Sequence, residues 1–157
     1  MMEQKKDGWC GPASLAYALK KQGIERSQEE IAEETETTVK EGVDPNPLVR
    51  YVNDLDLDTK VFSGEDAETT LEEMTHFLYF GYSCIVDYLD GKSMKDGHYV
   101  VVEDIDEDIG IWDPSGGKHK KLDRDLFIQQ WKDRTESGKI IKHWALCFKR
   151  RFDSLAT

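Results

Sequence analysis

At Tyr82 the chain changes its period. Downstream, YSCIVDYL, HYVVVEDI and IGIWD follow one another, each rich in β-branched and aromatic residues and each short enough to be one strand. Upstream, apolar residues recur at helical spacing. LAYALKKQG follows Pro12, LVRYVNDL follows Pro47 with Leu48, Val49, Val52 and Leu55, and AETTLEEMTHFLYF carries Leu71, Met74, Phe77 and Leu78 on one face. Ser27 and Glu30 form a capping box ahead of a short acidic helix. A short strand is expected around TKVFS, a further helix at RDLFIQQWK and one closing strand over KIIKHWALCFKR. Helices first and an antiparallel run afterwards define an α+β fold, not alternating βαβ units.

The 157 residues suit one domain, 1–157, with enough chain to bury a core without disulfide or metal staples. A net charge of −11 argues against nucleic acid and anionic membranes as partners, because both require a basic surface. Cys10, Cys84 and Cys147 are odd in number and widely spaced, which suggests neither a disulfide framework nor a zinc knuckle. The first residues, MMEQKKDGW, lack an apolar segment, and no run approaches the ~18 apolar residues of a membrane span. A cytoplasmic domain with no membrane span is expected; its oligomeric state is open.

In GWCGPAS, a cysteine stands between a tryptophan and a Gly-Pro at the threshold of a helix. Proline is tolerated in the first helical turn, so the helix starts close to Cys10. Its unpaired N–H groups and positive dipole end then face the sulfur, and both favour a thiolate. Cys10 is either a nucleophile or a small residue accommodated at a helix start. Cys84 and Cys147, inside apolar strands, are expected to be inert core thiols.

A cysteine nucleophile needs a base and a group that orients it. Of the four histidines, His76 lies within a helix, His119 in the basic loop GKHKKL and His143 in the closing strand. His98 begins a strand just after Gly97, where a loop meets a rigid element. Fifteen residues later Asp113 ends the neighbouring strand, and Pro114 stops it. A hairpin turning at Asp106 to Asp108 leaves His98 and Asp113 near the same end of the ladder, although a one-residue slip turns one of them away. Gln4, six residues before Cys10, is a candidate second donor, with the Cys10 N–H, for the oxyanion formed on a carbonyl. Its place near the chain start requires that something hold that segment.

Gln4-x5-Cys10-Gly11-Pro12-Ala13, Gly97-His98-Tyr99-Val100-Val101-Val102 and Asp113-Pro114 together resemble the C39-like cysteine peptidases of the papain-like superfamily. The resemblance implies a papain-like fold with the nucleophile on a central helix packed against the sheet. It also implies roles for Gln4 as oxyanion donor, Cys10 as nucleophile, His98 as base and Asp113 as its orienter. Familiar members cleave leader peptides after a double glycine and are fused to an ABC exporter. No exporter follows here, so a stand-alone domain is expected and that substrate is not carried over.

The reading is therefore a cysteine peptidase or related thiol hydrolase acting on a peptide or protein, with no metal or organic cofactor required. The alternative is a catalytically silent peptide-binding module on the same fold. The acidic hairpin EDIDEDIG lacks the glycine and terminal glutamate of a calcium loop and is expected to be a solvated turn. Lys118, His119, Lys120 and Lys121 are expected to stay solvated, and Trp131 and Trp144 to lie in the core. TETTVKEGVDPNP and YLDGKSMKDG are the expected cleft rims.

Overall fold

The helices form where caps and prolines allow them. The computed structural model describes residues 2–90 and 97–151. Helix α1 spans Cys10–Lys21, α2 Gln28–Glu34, α3 Pro45–Asp54 and α4 Ala67–Tyr79. The Ser27 hydroxyl accepts the Glu30 N–H at 3.0 Å, as the capping pattern requires. Helix α3 starts two residues earlier than expected, because Pro45 is itself a suitable first helical residue. Among the described residues, no helix is long and apolar enough to cross a membrane.

Strands β1 (Asp58–Phe62), β2 (Ser83–Leu89), β3 (Gly97–Ile105), β4 (Asp108–Asp113), β5 (Lys118–Asp123) and β8 (Ala145–Lys149) form one antiparallel sheet in the order β1-β8-β2-β3-β4-β5. Between β5 and β8 lie α5 (Arg124–Gln130) and a small hairpin of β6 (Lys132–Arg134) with β7 (Ile140–Lys142). Alternation along the central strands divides the core between the two faces. Ile85, Tyr99, Val101, Leu146 and Phe148 pack with α1, α2 and α3 on one face, whereas Val86, Val100, Val102, Ile109 and Ile111 pack with α4 and α5 on the other. The helix carrying Cys10 thus lies against the middle of the sheet, and Ser14 pins it there by donating to the Tyr99 carbonyl at 3.2 Å.

Two expectations are corrected. The basic run at 118–121 is a strand, not a loop: β5 is the sheet edge, and its exposed lysines leave no apolar alternation to read. Charged side chains of this kind also protect an edge from pairing with other chains. The single closing strand is broken at His143, which adopts φ 56° and lets β7 pair with β6 while β8 joins the main sheet. The break is held by tertiary bonds, from His143 Nδ1 to the Glu65 carbonyl at 2.6 Å and from Trp131 Nε1 to the Trp144 carbonyl at 2.9 Å. Trp131 and Trp144 lie in the core, as expected.

Phe148 is fully buried at the centre of the α1-side core. Its replacement by alanine is expected to lower unfolding stability by about 3–5 kcal/mol, read from denaturant unfolding, through lost burial and the cavity left behind. A loss under ~1 kcal/mol would mean that the two faces do not form the core described.

Candidate active site

Cys10 is the first residue of α1, and Trp9 before it supplies no side-chain cap. The first-turn N–H groups are therefore left for the sulfur and the space in front of it. Trp9 itself is buried and does not form an open wall. Gly11 permits the approach of this helix to its neighbours: a Cβ there would stand 2.7 Å from a Val43 methyl and 3.3 Å from the Tyr99 ring. The result is that the Tyr99 N–H, on β3, donates to Cys10 Sγ at 3.5 Å. The Tyr99 hydroxyl continues to the Val43 carbonyl at 2.8 Å and ties the strand to the loop before α3.

His98 and Asp113 meet because the β3–β4 ladder is irregular. From the turn the pairs run Ile105 with Ile109 and Asp104 with Gly110, then shift by one residue to Val102 with Ile111 and Val101 with Trp112. Glu103 is the extra residue of this bulge. Without the shift Asp113 would stand opposite Val101 and face away from His98; with it, Asp113 comes opposite Val100, on the His98 face. His98 Nε2 lies 2.7 Å from Asp113 Oδ1. Asp113 Oδ1 also accepts the Ser115 N–H at 2.9 Å, the turn bond expected of an aspartate before proline.

With Nε2 engaged, the other ring nitrogen is left for Cys10. Burial pushes the imidazolium down, but the hydrogen bonds and charges of Asp113 and Cys10 outweigh it and hold His98 up at about 10. Asp113 is driven in the opposite sense: burial raises it, yet His98 and Lys120 hold the carboxyl well below the usual carboxylate range. At neutral pH this is a carboxylate paired with an imidazolium whose positive charge sits beside a sulfur.

The basic run is exposed, as expected, but Lys120 within it is not free. Its ammonium donates to Asp113 Oδ2 at 2.8 Å, so Asp113 is gripped on both oxygens. His119 likewise pairs with Glu103, at 2.6 Å. The sequence signal for Lys120 was hidden, because only the β4–β5 register carries it to the Asp113 face. Asp113 adds stability that is present above its ordinary value of 3.8 and lost as pH falls through its lowered folded value. Lys120→Met raises that folded value. Its acid-unfolding midpoint, followed by circular dichroism, is expected to move to higher pH; an unmoved midpoint would mean that Lys120 does not act on Asp113.

Gln4 is held despite its place near the chain start. Its N–H donates to the Pro114 carbonyl at 2.8 Å, and Gln28 brackets the segment by accepting from the Lys5 N–H and donating to the Glu3 carbonyl. The Gln4 side-chain amide donates to the Lys6 carbonyl at 3.0 Å, and its oxygen is buried without a partner. Gln4, Cys10 and His98 line one cleft. Val39 to Asp44 form one rim, as expected of the TETTVKEGVDPNP segment. Of the YLDGKSMKDG rim, Asp90 and Gly97 line the cleft, and residues 91–96 lie outside the described residues. A third rim, Asp133 to Glu136, was not anticipated.

Cys84 and Cys147 are fully buried and face each other across β2 and β8, far from this chemistry in kind: burial pushes the Cys84 thiol well up. Among the described residues no group of three or more His, Cys, Asp or Glu is arranged to hold a metal ion.

A helix-borne cysteine packed on an antiparallel sheet, with a histidine on the adjacent strand, is the papain-like cysteine-peptidase fold. The family model described as peptidase C39-like matches residues 1–139, and the chain belongs to that family. The fold is similar to the peptidase domain of Streptococcus ComA, a bifunctional ABC transporter involved in quorum sensing, with a TM-score of 0.71 and 24% identity over 96% of this chain and 97% of that one. It is similar to a Bacillus anthracis protein described as a C39-like peptidase, with a TM-score of 0.74 and 18% identity over 96% and 94%. A double-glycine-motif protease from an AMS/PCAT transporter, solved with its leader peptide, gives 0.66 and 20% over 96% and 91%. No curated protein matches the chain.

Proposed function

We propose that this chain, acting as one domain, is a cysteine peptidase or related thiol hydrolase that opens a peptide or amide bond through Cys10, His98 and Asp113. The observation that carries the reading is the His98–Asp113 contact of 2.7 Å at the strand end that also presents the Tyr99 N–H to Cys10 Sγ. A binding module has no need of an imidazolium held beside a sulfur. The family, and a relative solved with a leader peptide bound, support a peptide as the substrate.

In this mechanism the Cys10 thiolate attacks the carbonyl carbon, and the electron pair of the C=O moves to oxygen. The Cys10 N–H and the Gln4 amide donate to that oxyanion. Collapse expels the amine, which takes the proton of the His98 imidazolium. The imidazole, now neutral, draws a proton from water as the hydroxide adds to the thioester, and release of the acid restores the thiolate and imidazolium. Asp113 keeps the ring in the tautomer and orientation both proton transfers need. Lys120 and Ser115 hold Asp113 in turn, as positioning residues.

The test is mass-spectrometric readout of a diverse peptide library after incubation with the wild-type chain and with Cys10→Ala. New termini are expected only with the wild type. Cleavage by both proteins, or by neither while Cys10 remains reactive to iodoacetamide, would reject the peptidase reading, and the second outcome would favour the silent binding module.

A further inference from the structure

Asp87 is the one acid inside the apolar strand YSCIVDYL, and it is only 1% exposed. Neither of its carboxyl oxygens meets a hydrogen-bond donor from another residue. It lies on β2 opposite Tyr99, the residue whose N–H meets the Cys10 sulfur, and shares the face of Ile85 on which α1 packs. Its neighbour is a second carboxyl, that of Asp133 on β6, with which a protonated Asp87 shares its proton. Both reach the same point: a Cβ on Gly97 would collide with a carboxyl oxygen of each. Gly97, the residue before His98, and Asp133 line the cleft, and Asp87 lies buried behind them.

Burial and the adjacent Asp133 push the Asp87 carboxyl well up, since two touching carboxylates cannot both ionise without a cation. A buried Asp87 against a half-buried Asp133, with no ion-pair partner among the described residues, is a costly arrangement for stability alone. The cleft walls carry the same sign. Among the described residues lining it, Glu41, Asp44, Asp90, Asp133 and Glu136 stand against Lys40, Arg134 and the His98 imidazolium. Asp44 further accepts the Glu136 N–H, at 3.2 Å, which joins two rims of the cleft.

We propose that Asp87 and Asp133, approached across the bare backbone of Gly97, form a pocket for a cationic side chain of the peptide next to the scissile bond. Arginine fits better than lysine, because a planar guanidinium offers paired donors to two carboxyl groups. This inference names the substrate class of the peptidase reading and rests on it for the position of the scissile bond. Gly97 has a defined role here: any side chain would collide with the two carboxyl groups and drive them apart.

The experiment uses a positional-scanning decapeptide library in which each position in turn is fixed as arginine, its neutral isostere citrulline, leucine or glutamate. Binding to full-length Cys10→Ala is read by capture and mass spectrometry, and cleavage by the wild type on the same pools. One position is expected where arginine exceeds citrulline by at least ~10-fold, the size of one lost charge-assisted contact. In the Asp133→Asn background, and in Asp87→Asn where circular dichroism shows it folded, that ratio is expected to fall below ~3-fold. Equal capture of arginine and citrulline pools at every position, no capture of any pool, or a preference undiminished in Asp133→Asn would overturn the proposal. Cleavage by the wild type without arginine preference would remove the pocket and leave the peptidase reading standing. Asp133-dependent capture without any cleavage would keep the pocket and remove the peptidase reading.

Discussion

Replacing His98 by alanine is expected to lower peptide turnover by ~1,000-fold and to slow alkylation of Cys10 at about neutral pH by ~10-fold or more, with Cys84 and Cys147 as unreactive internal controls. The turnover loss follows from two proton transfers that lose their carrier, one to the leaving amine and one from water. The alkylation loss has a separate cause. Because Asp113 and Cys10 hold His98 up at about 10, its positive charge is present beside the sulfur throughout the neutral range. Alanine removes that charge and leaves only the Tyr99 N–H and the start of α1 facing the sulfur. Both controls are fully buried, so peptide mass mapping of the folded chain reads Cys10 alone. Equal alkylation rates for Cys10 in wild type and His98→Ala would mean that the imidazole does not act on the sulfur.

Asp113→Asn separates orientation from charge. Asparagine can still accept the Nε2 proton through its side-chain oxygen, so the ring keeps its tautomer, but the negative charge is gone. The His98 titration midpoint, followed by NMR of the labelled imidazole, is expected to fall from about 10 by at least ~1 unit, the effect of removing an opposite charge in direct contact. The same change has a definite sign in stability. A histidine raised in the folded state contributes stability that is complete below its ordinary value of 6.5 and is lost as pH rises through about 10. In Asp113→Asn this alkaline loss is expected to begin at lower pH. Turnover is expected to fall by ~10–100-fold, less than for a serine triad, because a thiolate and an imidazolium form a pair without help from the aspartate. An unmoved His98 midpoint would sever Asp113 from the site.

The fold class was legible because each of its signals is local. The period change at Tyr82, the Ser27 cap and Pro12 are properties of a few neighbouring residues, and they place four helices and the central strands within a residue or two. Edge strand β5 was not legible, since four consecutive exposed residues satisfy no burial pattern and become a strand only by pairing with β4. The same holds for the break at His143, whose left-handed backbone is justified by a bond to Glu65, 78 residues away.

At the site, chain order, residue chemistry and the family resemblance named Cys10, His98, Asp113 and Gln4 as candidates, and all but Asp113 line one cleft. A cysteine at a helix start, a histidine after a glycine and an aspartate before a proline each have a local reason to be where they are. Their meeting was decided elsewhere. The Glu103 bulge slips the ladder by the one residue that turns Asp113 toward His98, and the bonds to Pro114 and Gln28 hold Gln4 at the cleft. Lys120 on Asp113, and Asp87 against Asp133, belong wholly to the tertiary structure. Sequence by itself determined the four N-terminal helices, the central strands and the candidate reactive side chains, because helix starts, turns and alternation depend on near neighbours. Only the tertiary structure decided which of those side chains touch and what their charges become, because register, burial and the sign of a neighbouring charge depend on residues far away in the chain.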